Sequence, residues 1–368
     1  MPDRFVAAAA IVRDAIASGA FPAAALEVGR ASGPLWRDAT GRLTYDGEAP
    51  AVDQATIFDL ASLTKVLATA TLAMRAVDDG RLTLDDPLAR WLREWRGRDR
   101  ERVTIRDVLA HSSGLTAYLP FFRDYRGRFE FEHAICTLPL EYAPRSRSLY
   151  SDLGFMLLGF ILEDVQPAGP GFRGAAGASD PSRSLATQFH RLASFITAEP
   201  LRFNPPRSWR PVIAPTEIDP WRGRLLAGEV HDENTWALGG AAGHAGLFGT
   251  AAAVGACARA MLRTIAGDAL LAQVATMRTF IARTDVPGSS RALGWDTMLP
   301  TSSCGTLMSP TSIGHTGFTG TSLWIDWERD LYVVFLTNRV HPTRENDAIR
   351  HVRPRLHDAI VAELDGVF

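Results

Sequence analysis

The spacing of apolar and polar positions divides the chain into extended ends and a helical middle. Residues 23–30 (AAALEVGR) and 34–40 (PLWRDAT) are short extended runs separated by Ala31-Ser32-Gly33, the pattern of a hairpin. Near the other end, residues 322–327 (SLWIDW) and 332–337 (YVVFLT) flank Glu328-Arg329-Asp330 and predict a second hairpin. Its latter run is apolar on both faces, as a central strand requires. Over about 344–364, Ile349, Val352, Leu356, Ile360 and Leu364 recur near helical spacing, so a helix closes the chain.

Helical signals fill the space between. Residues 62–78 lack Gly and Pro, and Gly80 offers a stop. Asp85-Asp86-Pro87 has the form of a helix start. Thr104-Ile105-Arg106-Asp107 fits a capping box that opens a short helix ending near His111. Residues 251–265 form an Ala-rich helix entered from Thr250. The expected fold is α+β: an antiparallel β-sheet built from both termini and flanked by helices, with an inserted, mainly helical lobe. In one domain over 1–368, the sheet part takes about 1–60 and 290–368 and the lobe about 80–285. Residues 166–184 are rich in Gly, Pro, Ala and Ser and read as a flexible loop.

Composition narrows the function classes. With 46% hydrophobic and 22% charged residues, 368 residues bury a large core. The net charge of -2 comes with no basic stripe, which argues against nucleic acid or an anionic membrane and for a small-molecule substrate. Cys136, Cys257 and Cys304 have neither zinc-site spacing nor the density of a disulfide scaffold, so reduced, buried thiols are expected. No two histidines have metal-ligand spacing, and neither a metal nor a cofactor is expected. Residues 1–20 read as an amphipathic helix rather than a leader, and no run approaches the ~18 apolar residues of a membrane span. A cytoplasmic location is expected.

One count points to chemistry. Lys65 is the only lysine among 39 basic residues. Arginine keeps its proton in a protein, whereas a lysine whose surroundings lower its pKa gives it up. Ser62 stands three places earlier, on the same face if the segment is helical. An amine there can activate a serine hydroxyl, and the free N–H groups of a first turn would stabilise negative charge beside it. A helix cap with a solvated lysine is the competing reading. Tyr150-Ser151-Asp152 opens the apolar run 153–162 and alone reads as a cap with Asp152 accepting backbone N–H bonds. Gly314-His315-Thr316-Gly317 lies on a predicted strand, where paired glycines mark close approach of a ligand or backbone.

Taken in order, S-x-x-K, Y-x-N/D about ninety residues on, and K/H-T-G on a late strand resemble the serine β-lactamase and penicillin-binding-protein superfamily. The tyrosine form is similar to the class C β-lactamase branch and its esterase and D-peptidase relatives. Phe58-Asp59-Leu60-Ala61, residues 109–115 (LAHSSGL), 238–250 (LGGAAGHAGLFGT) and 314–323 (GHTGFTGTSL) extend the likeness from about residue 10 to 360. The resemblance implies a single β-lactamase-like catalytic domain and no cofactor. It implies Ser62 as nucleophile and Lys65 and Tyr150 as partners sharing its proton. It further implies an oxyanion hole from the N–H groups of Ser62 and Phe318, and a substrate pocket lined by Asp152, His315, Thr316 and Gly317.

Two positions depart from the pattern. Asp152 stands where Asn is commonest; facing Lys65, it favours the charged amine and leaves Tyr150 more of the base's work. His315 stands where β-lactamases carry Lys, which shifts the expectation from an efficient β-lactamase to a carboxylesterase acting on short acyl chains. A D-amino-acid peptidase or muropeptide hydrolase follows, then a weak β-lactamase; a penicillin-sensor-like acyl acceptor that deacylates slowly is the non-enzymatic alternative. Arg339 either replaces the missing cation or is a surface residue. His111 is expected to make a structural hydrogen bond at a helix end. His231 either lines the pocket or sits in a solvated turn.

Overall fold

The computed structural model describes residues 5–167 and 180–366. Most of the loop expected over 166–184 therefore lies outside the described residues. In chain order, helix α1 (Val6–Ala17) precedes strands β1 (Ala23–Arg30), β2 (Gly33–Gly41) and β3 (Phe58–Asp59). Helices α2 (Thr71–Asp78), α3 (Ile105–Leu109), α4 (Gly127–Thr137), α5 (Asp152–Val165) and α6 (Leu185–Ile196) follow. Strands β4 (Leu201–Phe203), β5 (Ile218–Asp219) and β6 (Arg224–Leu225) lead to α7 (Glu233–Ala237), β7 (Leu247–Gly249), α8 (Ala251–Arg263) and α9 (Val274–Ile281). The chain closes with β8 (Asp296–Thr297), β9 (Ile313–Thr316), β10 (Ser322–Asp326), β11 (Leu331–Thr337) and α10 (Ile349–Asp365).

Both terminal hairpins form, and they join edge to edge. β1 pairs antiparallel with β2 on one side and β11 on the other, with Leu26 opposite Phe335. The resulting sheet has the order β2-β1-β11-β10-β9-β8. Period-two alternation sends Leu26, Val28, Val333 and Phe335 to the face covered by α1 and α10. Ala25, Val334 and Leu336 face the other way, toward the core that α8 covers. With both faces buried, β11 has no position for a polar residue before Thr337, which explains its unbroken apolar run. Glu27 is the exception on β1: it is fully buried, and Arg37, Arg259 and the Tyr332 hydroxyl satisfy its carboxylate.

Helices occupy the middle of the chain as expected, including the capping box of Thr104 and Asp107. Three details differ. Residues 63–78 are helical, but residues 65–70 form a π-helix ahead of α2; such wide turns are frequent at functional sites. Asp85-Asp86-Pro87 opens only a 3₁₀ turn over Leu88–Arg90. The backbone there is bonded across to another segment, Leu88 N–H to the Val103 carbonyl and Ile105 N–H to that of Asp86, so it cannot bond to itself as a helix. The last helix starts at Ile349 rather than near 344, because the preceding turn is drawn onto Glu217, which accepts from the Arg344 N–H.

Two small sheets, β3-β7-β4 and β5-β6, are too short to leave a periodic signal. The first matters most here. Phe58 pairs with Gly249 and Asp59 with Phe248, which anchors the chain three residues before Ser62. The three cysteines are buried free thiols. Among the described residues, no helix is long and apolar enough to cross a membrane, and no group of His, Cys, Asp and Glu side chains is arranged to hold a metal ion.

Candidate active site

Ser62 lies at the turn that opens the 65–70 helix, behind a strained residue. Ala61 has φ 46°, a left-handed conformation that costs a residue with a Cβ about 1–2 kcal/mol. The Asp59 carboxylate holds it there by accepting the Ala61 N–H at 2.9 Å. The turn carries Ser62 to the wall of a cavity of about 540 Å³. One turn later, Lys65 is fully buried. Its ammonium has three acceptors: Ser62 Oγ at 2.9 Å, the His244 carbonyl at 3.0 Å and Asp152 Oδ1 at 2.7 Å. The expected i, i+3 pairing is therefore present, and the solvated lysine of the competing reading is not.

The His244 carbonyl is delivered by the 239–246 loop, which three contacts press against the helices around it. Thr69 Oγ1 donates to the Gly243 carbonyl at 2.6 Å, and Thr64 Oγ1 accepts the Leu247 N–H at 3.1 Å. Gly243 packs so closely on α5 that a Cβ there would lie 1.9 Å from the Phe155 carbonyl oxygen. A side chain at that position is excluded, and this accounts for one glycine of the LGGAAGHAGLFGT run.

Tyr150 and Asp152 arrive at the start of α5. Ser151, not Asp152, caps the helix: its Oγ accepts the Gly154 N–H and donates to the Thr116 carbonyl. Asp152 is thus free to face Lys65. The Tyr150 ring lies 4.9 Å from the Lys65 ammonium, and both Lys65 and Ser62 act on its hydroxyl. His111 packs on the Tyr150 ring at 4.7 Å, and its Nδ1 accepts the Ser151 N–H at 3.0 Å, the structural role expected of it.

These contacts set the charges. Burial pulls the Lys65 ammonium down, but the Asp152 carboxylate and Tyr150 outweigh it, and the net direction is up. Burial pushes the Tyr150 phenol up, with only partial relief from Lys65. The resting site therefore holds a charged lysine beside a neutral phenol.

The opposite wall is the end of β9. His315 is buried on it, and its Nδ1 lies 2.9 Å from the Thr316 carbonyl, which fixes the proton on Nδ1 and leaves Nε2 as a lone pair without a partner among the described residues. Burial, then Arg291 and Lys65, hold this imidazole well below its ordinary pKa, so it is neutral at neutral pH. Gly317 fits because a Cβ would lie 2.1 Å from Thr321 Oγ1 and 2.6 Å from the Leu60 carbonyl oxygen. Thr316, Gly317 and Phe318 all line the cavity. Neither the Ser62 N–H nor the Phe318 N–H has an acceptor among the described residues.

Two cavity residues, Arg291 and Arg353, carry no sequence signal. Arg291 lies 5.2 Å from the Tyr150 ring centroid and forms no ion pair among the described residues. Arg353 is buried, donates to the Gly317 and Thr321 carbonyls and leaves its Nε without a partner among the described residues. Arg339 is neither a surface residue nor a free cation. It is 8% exposed, its guanidinium donates to the carbonyls of Phe318, Arg344 and Asn346, and it stacks on Phe318 at 4.5 Å. His231 belongs to the cavity wall, buried, bonded to Glu217 at 2.9 Å and stacked on Phe318.

Comparison with known proteins agrees with this picture. The family model described as Beta-lactamase matches residues 8–356. A protein of Escherichia coli (strain K12) named "Putative D-alanyl-D-alanine carboxypeptidase" is 31% identical over 337 residues, covering 81% of this chain and 73% of its own. Among solved structures, EstCE1, described as a hydrolase with promiscuous acyltransferase activity, superposes with a TM-score of 0.74 at 21% identity, covering 96% of this chain and 97% of its own. Simvastatin synthase (LovD) from Aspergillus terreus gives 0.72 at 18% identity over the full length of both chains.

Proposed function

The chain belongs to the beta-lactamase family, and from that membership we propose that it hydrolyses an ester or amide through an acyl-enzyme on Ser62. The observation that carries this reading is the 2.9 Å contact between Lys65 Nζ and Ser62 Oγ at the wall of the cavity, with the Tyr150 ring 4.9 Å from the same ammonium. The substrate carbonyl oxygen would take the Ser62 and Phe318 N–H groups, which stabilise the negative charge that develops on it. With Lys65 held charged by Asp152, the Ser62 proton passes to Tyr150 once the Lys65–Tyr150 pair has lost one proton. Ser62 Oγ bonds to the carbonyl carbon, the tetrahedral adduct collapses, and the departing alcohol or amine takes the proton from Tyr150. Water then attacks the acyl carbon and gives a proton to Tyr150; the adduct collapses, the acid leaves, and Ser62 Oγ takes that proton back from Tyr150.

A short-chain ester is the first choice of substrate. The neutral His315 offers no fixed cation where β-lactamases use lysine, and a neutral acyl group needs none. A second reading, hydrolysis of a D-amino-acid peptide, is favoured by Arg291, a cation lining the cavity without an ionic partner among the described residues. It would hold a terminal carboxylate. The name of the carboxypeptidase relative agrees with it.

Three outcomes are expected. With a p-nitrophenyl ester of a short acid, wild-type protein shows a burst and then steady turnover, and Ser62→Ala loses both by at least about 10³-fold; a burst that then stops makes the protein an acyl acceptor rather than a hydrolase. Asp152→Asn removes the carboxylate that raises Lys65, so the pair loses its proton at lower pH and the alkaline-rising limb of the pH–rate profile moves toward acid; an unchanged profile contradicts the assignment. If the peptide reading holds, Arg291→Ala raises KM for a D-peptide with a free carboxylate by about 10-fold, while KM for a neutral ester stays within about 3-fold.

A further inference from the structure

The two N–H groups assigned to the oxyanion hole come from segments far apart in sequence, and one side chain connects to both. Asp59 is 2% exposed and forms no ion pair among the described residues. Burial raises the pKa of its carboxyl, so keeping a carboxylate here needs compensation, and each oxygen receives one backbone N–H. Oδ1 accepts from Ala61 at 2.9 Å, immediately before Ser62. Oδ2 accepts from His231 at 2.7 Å, and the His231 ring stacks on Phe318 with centroids 5.6 Å apart. The Asp59 carbonyl accepts from Thr319 Oγ1 at 2.7 Å, immediately after Phe318, and the next carbonyl, Leu60, accepts from Thr321 Oγ1 at 3.0 Å. The same residue thus fixes the strained turn behind Ser62 and two of the supports of Phe318.

We propose that Asp59 is a positioning residue that sets the register between the Ser62 and Phe318 N–H groups, so that both reach one carbonyl oxygen. The proposal rests on the acyl-Ser62 reading. A neutral side chain of the same shape cannot replace it. In Asn, one oxygen accepts a single N–H and the amide nitrogen meets the other N–H donor to donor. Nothing in this role touches substrate directly, so the loss falls on the transition state rather than on ground-state binding.

The test compares wild type, Ser62→Ala, Asp59→Asn and Thr319→Val, each at a temperature where circular dichroism shows it folded. Two quantities are measured: p-nitrophenyl ester hydrolysis, and affinity for a phenylboronic acid, which forms a tetrahedral adduct with a nucleophilic serine. Asp59→Asn is expected to lower kcat by about 10²-fold with KM within about 3-fold, and to weaken boronate affinity in parallel. Thr319→Val, which removes one tie and leaves the carboxylate, is expected to move both quantities the same way by about 3–10-fold. This variant carries the test if Asp59→Asn does not fold. Wild-type kcat and boronate affinity in a folded Asp59→Asn, or in Thr319→Val where Asn fails to fold, overturn the proposal while leaving Ser62 in place. Hydrolysis and boronate binding that survive in Ser62→Ala overturn the acyl-Ser62 reading and this proposal with it.

Discussion

A buried ammonium is tolerated only where its protons meet acceptors and its charge meets an opposite one, and the site is arranged around that requirement at Lys65. The three acceptors come from three parts of the chain: Ser62 from the same turn, His244 from the glycine-rich loop, and Asp152 from the start of α5. Satisfying one lysine therefore draws together the segments that also carry Tyr150 and the cavity floor. The π-helical turn over residues 65–70 and the close packing of Gly243 on α5 belong to the same junction. An arginine could not serve here, since its planar fork offers no compact point charge for three converging acceptors and does not give up a proton.

The sheet supplies the opposite wall. Because both of its faces are buried, β9 and β10 are held without freedom to slide, and a one-residue slip would put a side chain in the place of Gly314, where a Cβ would lie 2.2 Å from the Trp324 ring, and would turn His315 away from the cavity. His315 then offers a lone pair rather than a charge. Positive charge reaches the cavity from elsewhere, through Arg291 and Arg353. The electrostatics of the cavity have thus been moved from the β9 motif to residues that a motif search would pass over.

How far the sequence foretells this differs from residue to residue. The two terminal hairpins were legible because period-two patterning and turn residues coincide, and the C-terminal helix because its apolar spacing runs through five positions. Ser62 and Lys65 stood out because helical geometry joins them and no other lysine competes. Tyr150 and Asp152 were legible only through motif order, since Tyr-x-Asp before an apolar run is also how a capped helix begins. Arg291 and Arg353 were not: in a chain with arginine in nearly every basic position, what distinguishes them is that they line the cavity, a property of three-dimensional placement. The same holds for His231 and Arg339, whose stacking on Phe318 follows from tertiary contact. The small β3-β7-β4 sheet was missed because two- and three-residue strands carry no period.

The central claim is that Ser62 becomes covalently acylated. The most direct measurement is mass spectrometry of the protein mixed with a short-chain p-nitrophenyl ester, quenched in acid before steady state and digested. The account predicts one added acyl mass, confined to the peptide that contains Ser62. Nitrophenol release with no acyl mass on the protein, or with the mass on another residue, would contradict it.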